Sequence, residues 1–211
     1  MTEMRKIRKF KVPIHLKEIL RRIKLSETDT KAAGFSDEKD LTVFIASLHR
    51  AVEPGVVYEF IEGRCMELAA AGIENNGVLG VCALTLGSKI EEEINQIKNH
   101  QALAIANIIL YEFLRTAVTF VGGLIKDDAE KEDFTVGGYE VLYSPSFSYG
   151  PEPKFLREAV RVDAQIAQKA LPALFDRLNA QKINLKFIDG QIAPKATIVF
   201  MTPWQKKKGK K

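Results

Sequence analysis

The sequence predicts an α+β fold, and three observations carry that expectation. Strand-like runs lie around turn dipeptides, as at Glu62–Gly63 and Asp189–Gly190, which is how antiparallel strands are joined. Helical periodicity is confined to separate stretches such as Ser36–Leu48 and Ala102–Ile125. Finally, no βαβ alternation, G-x-G-x-x-G or P-loop appears, so a doubly wound nucleotide fold has no support. With 211 residues, 46% of them apolar and 27% charged, the chain suits one domain over residues 1–205 and a basic, disordered tail over 206–211.

Taken in order, Ile7–Ile14 alternates basic and apolar residues up to Pro13, the pattern of an edge strand. Leu16, Ile19, Leu20 and Ile23 then recur at helical spacing. Lys24–Phe35 is turn-like. Ser36 with Asp37 and Glu38 opens a helix carrying Leu41, Phe44, Ile45 and Leu48, and Glu53–Pro54–Gly55 closes it. Val56–Ile61 reads as a strand with Arg64–Ala69 as its hairpin partner. After the turn Glu74–Gly77, the nearly continuous apolar run Val78–Leu86 marks a strand buried on both faces. Gly87 breaks that run, and Ser88-x-x-Glu91 fits a capping box at a helix start. A long helix follows Asn99–His100 and runs to Ile125, with Asp127–Asp133 as a charged loop after it. Thr135–Tyr143 has strand character interrupted by Gly137–Gly138. Ser144–Pro153 is an aromatic loop held by prolines, Phe155–Leu171 a helix, and Ile183–Ile188 with Gln191–Met201 a final hairpin.

Composition narrows the function classes. The net charge of +4 is concentrated at the ends, with Arg5, Lys6, Arg8, Lys9 and Lys11 at one and five lysines in the tail at the other. The body between them is mildly acidic, which argues against nucleic-acid binding. Cys65 and Cys82 lack metal-ligand spacing, and His15, His49 and His100 have no partner at triad or metal spacing, so no catalytic or metal residue is assigned. No apolar signal core follows Met1, and a cytoplasmic location is expected. Ala102–Ile125 is apolar enough to suggest a membrane span. Its polar residues Asn107, Tyr111, Glu112, Arg115, Thr116 and Thr119 nevertheless fall on one stripe, and Glu112 and Arg115 would each cost about 2.5–3.5 kcal/mol in lipid. A helix buried in a domain, with that stripe facing a cleft or a neighbour, is the expectation.

Three segments stand out chemically. Thr85–Leu86–Gly87–Ser88 delivers a glycine turn to the acidic helix start at Glu91–Glu93. Tyr143–Gly150 offers rigid aromatic faces suited to a planar ligand or a sulfonium cation. Ala193–Pro194–Lys195–Ala196–Thr197 precedes a final apolar strand. In this order, with a long helix between the first two, the segments resemble the vitamin B12-dependent methionine synthase activation domain family over roughly Ile7–Trp204, most strongly from Val78 onward.

The resemblance implies a curved α+β domain built around an antiparallel sheet with flanking helices. It implies S-adenosylmethionine as the bound cofactor, with Ser144, Pro145, Phe147, Tyr149 and Gly150 in the ligand loop and Thr85, Gly87 and Glu91 shaping the turn that faces it. The implied partners are a cobalamin-carrying (corrinoid-binding) methyltransferase protein and a flavodoxin-type electron donor, in a system of methionine biosynthesis that remethylates the corrinoid reductively. Leu142 or Tyr143 stands where the family's loop is introduced by an arginine, and Ser146–Phe147 replaces its Gly-Tyr pair. An aliphatic side chain cannot grip a carboxylate as a guanidinium does, so weak binding is expected. The alternative is a non-catalytic module of the same fold that docks on the corrinoid partner.

Overall fold

A computed structural model describes residues 4–74, 77–145 and 158–207. Strand β1 is Arg5–Arg8, β2 Gly55–Glu62, β3 Val78–Thr85, β4 Phe134–Val136, β5 Glu140–Tyr143, β6 Val160–Arg161, β7 Lys186–Ile188, β8 Gln191–Ala193 and β9 Thr197–Lys206. The helices are α1 Leu16–Leu25, α2 Glu38–Arg50, α3 Met66–Ala70, α4 Lys89–Asn95, α5 His100–Lys131 and α6 Ala164–Arg177, and Ala180–Ile183 forms a 3-10 turn.

A seven-stranded sheet runs in the order β1-β2-β3-β9-β5-β6, with β4 also on β9; β7 and β8 form a separate hairpin. Every pairing in the larger sheet is antiparallel except β5 with β6. The mixed α+β class expected from the sequence is therefore present. Tyr58, Phe60, Cys82, Leu84, Phe200 and Trp204 point to one face, where α1, α2, α4 and α5 pack. Val57, Ile61, Val81, Ala83, Val199 and Met201 point to the other, beneath α3 and α6. Because both faces are covered, the central strands lose the usual apolar-polar alternation, and every residue of β3 after Val78 is buried.

Helix α5 is long and apolar enough to cross a membrane by length and composition, yet 72% of its most apolar window is buried against the fold. It behaves as a core helix of a compact domain. The polar stripe has the role expected of it: Glu112, 2% exposed, pairs with Arg22 of α1 and, at 2.9 Å, with Arg115. Nearer the C-terminal end, buried Asp128 accepts from Tyr58 at 3.1 Å and lies 3.2 Å from Arg5 and 3.1 Å from Lys131. Two charge clusters thus fasten α1 and the edge strand β1 to the central helix.

Several local expectations change. Arg64–Ala69 is not a strand: Met66–Ala70 is a helix, which suits its run of strong helix formers and buries Leu68 against α6. β1 stops at Arg8, where Lys9 turns to φ 54. Within the expected opening Ser36–Asp37–Glu38, Asp37 is the residue that caps α2, its side chain accepting from Asp40 N–H. Ser88 makes no side-chain cap bond, so the capping box is not formed. Most of Asp127–Asp133 is the last turns of α5 rather than a loop. Within the Phe155–Leu171 prediction, the regular helix begins only at Ala164, capped by Asp163; residues 155–157 lie outside the described residues. The tail boundary also shifts, since β9 continues to Lys206 and Lys207 N–H donates to Asp133 O at 2.9 Å. Asp189 and Gly190 have φ of 50° and 77°, the left-handed pair that a tight hairpin turn requires.

Candidate functional site

A cleft of about 580 Å³ opens at the end of the sheet where β5 stops and β9 begins. Glu91 and Asn95 of α4 and Asn107 and Tyr111 of α5 form one wall. Tyr143 and Pro145, at the end of β5, form the floor. Leu171 of α6, with Phe187 and Ile192 of the β7–β8 hairpin, supplies an apolar roof, and Lys195 and Ala196 close the side. Apolar walls with a few placed polar groups are what small-molecule sites have in common.

The three segments singled out in the sequence meet here. Glu91 accepts a hydrogen bond from Ala196 N–H, so the glutamate expected to cap α4 is spent on the Pro-Lys segment instead. The buried Thr85 hydroxyl donates to Ala196 O at 3.3 Å and accepts from Gly87 N–H at 3.0 Å. Leu86 N–H donates to the same carbonyl at 2.9 Å. Tyr143 OH makes a long, 3.5 Å bond to Lys195 O. Gly87, at φ +89, makes the turn into α4 possible; a Cβ there would stand 2.9 Å from Glu53 O.

Of the expected ligand residues, Glu91 and Pro145 line the cleft, whereas Thr85 and Gly87 sit behind it as supports. Ser144 is half-buried between the two cleft residues Tyr143 and Pro145. Phe147, Tyr149 and Gly150 lie outside the described residues. Of the two residues that stand where the resemblance expects an arginine, Leu142 is buried in the core beneath α6 and Tyr143 lines the cleft. Asn95, Leu171, Phe187 and Ile192 also line the cleft, and no local pattern in the sequence marks them. Asn107 and Tyr111 belong to the polar stripe already read on α5.

Burial governs the titration of the cleft. It pushes the Glu91 carboxyl up, opposed by the Ala196 N–H and the Lys195 charge. It also raises the Tyr143 phenol, with Glu91 adding to the effect, and the Tyr111 phenol, with Tyr143 adding. Both phenols are therefore neutral donors around pH 7. His49 is accounted for elsewhere: its Nε2 lies 2.7 Å from Val12 O, and the ring packs edge-on against Phe113. No family model and no curated protein matches this chain.

Proposed function

We propose that this chain is a stand-alone helper resembling the methionine synthase reactivation domain. In this reading it binds S-adenosylmethionine in the cleft and docks on a corrinoid protein in the cytoplasm, where a flavodoxin-type donor supplies the electron for remethylation. The observation that carries the reading is the convergence of Glu91, Tyr143 and Lys195–Ala196, from three segments far apart in sequence, on one cavity. The volume suits a nucleoside-sized ligand. The faces of Tyr111 and Tyr143 suit an adenine ring or a sulfonium cation.

The described lining contains no imidazole and no thiol. That favours a division of labour in which this chain positions the methyl donor while the corrinoid and its reductant do the chemistry. It equally favours the reading of a docking module without methyl transfer, and ligand binding separates the two. Titration calorimetry with S-adenosylmethionine at up to millimolar concentration should show saturable heat, with a rise in melting temperature that grows with ligand concentration. A well-folded protein giving neither heat nor stabilisation would remove the methyl-donor reading and leave the docking module.

A further inference from the structure

The segment between the β7–β8 hairpin and β9 is more tightly held than a connection needs to be. Thr197 Oγ1 donates to Pro194 O at 2.7 Å, and Thr197 N–H to Lys195 O at 2.7 Å. Ala196 N–H is taken by Glu91, and Ala196 O accepts from Leu86 N–H and Thr85 Oγ1. Backbone groups from Pro194 to Thr197 are thus engaged one after another, by α4, β3 and the segment itself. Yet the side chain this scaffold carries, Lys195, is exposed at the cleft and joins no ion pair among the described residues; Glu91 senses its charge without closing on it. It is also the only cation among the described lining residues. A rigid backbone that presents one uncommitted ammonium to an otherwise neutral-to-acidic cavity is how an anionic group is held.

We propose that Lys195 is the anchor for the carboxylate of the cleft's ligand, taking the place of the guanidinium that neither Leu142 nor Tyr143 supplies. The assignment rests on the S-adenosylmethionine reading. Glu91 is then a positioning residue, acting on the ligand through the Lys195–Ala196 backbone.

The test compares two ligands on three proteins. S-adenosylmethionine carries the carboxylate, whereas 5′-methylthioadenosine keeps the nucleoside and sulfur without the amino-acid part. Calorimetric affinity for S-adenosylmethionine should fall about two- to fivefold in Lys195→Met and return to the wild-type value in Lys195→Arg. Affinity for 5′-methylthioadenosine should be the same in all three proteins. Because Lys195 is exposed, melting curves of the three should coincide. Equal S-adenosylmethionine affinity in wild type and Lys195→Met would overturn the assignment while leaving the proposed function intact, as would a parallel loss for both ligands. A wild-type protein that binds neither ligand overturns both.

Discussion

Two glutamates on neighbouring helices meet the same problem in opposite ways. Glu112, in the seam between α1 and α5, is 2% exposed and is neutralised by two arginines, Arg22 and Arg115. Glu91, at the cleft, is only half-buried and takes a backbone N–H, that of Ala196, as its closest partner. In the seam charge is met by charge, and nothing is left over for a ligand. In the cleft the carboxylate is met by a peptide dipole, so the nearby Lys195 stays uncommitted. The difference separates a structural carboxylate from one that shapes a site.

Removing the charge while keeping the shape should break this comparison most visibly. Glu112→Gln leaves two arginines facing a neutral amide, and with the arginines able to turn partly to solvent we expect a loss of about 2–4 kcal/mol in urea unfolding. Glu91→Gln keeps an acceptor for Ala196 N–H and relieves the burial of a charge, so its unfolding free energy should stay within about 1 kcal/mol of wild type. Similar losses at both positions would erase the distinction.

Gly87→Ala should cost about 1–3 kcal/mol, since the added Cβ would lie 2.9 Å from Glu53 O at a φ of +89. Thermal melts read that cost directly. The same change should loosen the clamp on Ala196 and weaken ligand binding, because Gly87 N–H is held by Thr85.

Next in size is Glu91→Ala, which leaves the Ala196 N–H without its acceptor and should cost about 1–2 kcal/mol. It should also lower S-adenosylmethionine affinity where Glu91→Gln does not. Equal affinities in the two variants would mean that the backbone clamp does not set the position of Lys195.

How much of this could be read in advance differs between the two regions. The seam was visible because a single-helix pattern exposed it: Glu112 and Arg115 sit three apart on the polar stripe of an apolar helix, and burial obliges such charges to find partners. The second arginine, Arg22, comes from another helix, and nothing local points to it. The cleft was visible only as three unusual segments. Glu91 looked like a capping residue because Ser88 precedes it at the right spacing, but the tertiary partner Ala196 won over the local bond. At Arg64–Ala69 a turn after a strand suggests a hairpin, but the helix-forming run Met66–Ala70 and the packing of Leu68 against α6 together make the segment helical. Phe187 and Ile192 reach the cleft through the β7–β8 hairpin, a non-local placement that periodicity cannot encode.

The smallest expected effect lies at the edge of the seam. The Arg21 hydrogen bond, with further help from Arg22, holds Glu18 at about 2, below its ordinary 4.5. A depressed carboxylate contributes stability that is complete above pH 4.5 and disappears as the pH falls toward 2. Since Glu18 is partly exposed, the contribution is modest. Glu18→Gln should flatten that acid limb of the stability profile and leave the profile above pH 5 unchanged in shape.

Amide hydrogen exchange with and without S-adenosylmethionine tests the central claim most directly, because it asks at once whether the ligand binds and where. Saturating ligand should slow exchange at the cleft walls, in peptides covering 91–95, 107–111, 143–145 and 187–197, while the α1–α5 seam around Arg22 and Glu112 stays as it was. Protection confined to any other surface, or no change at saturating ligand, would contradict the placement of the methyl donor in this cleft.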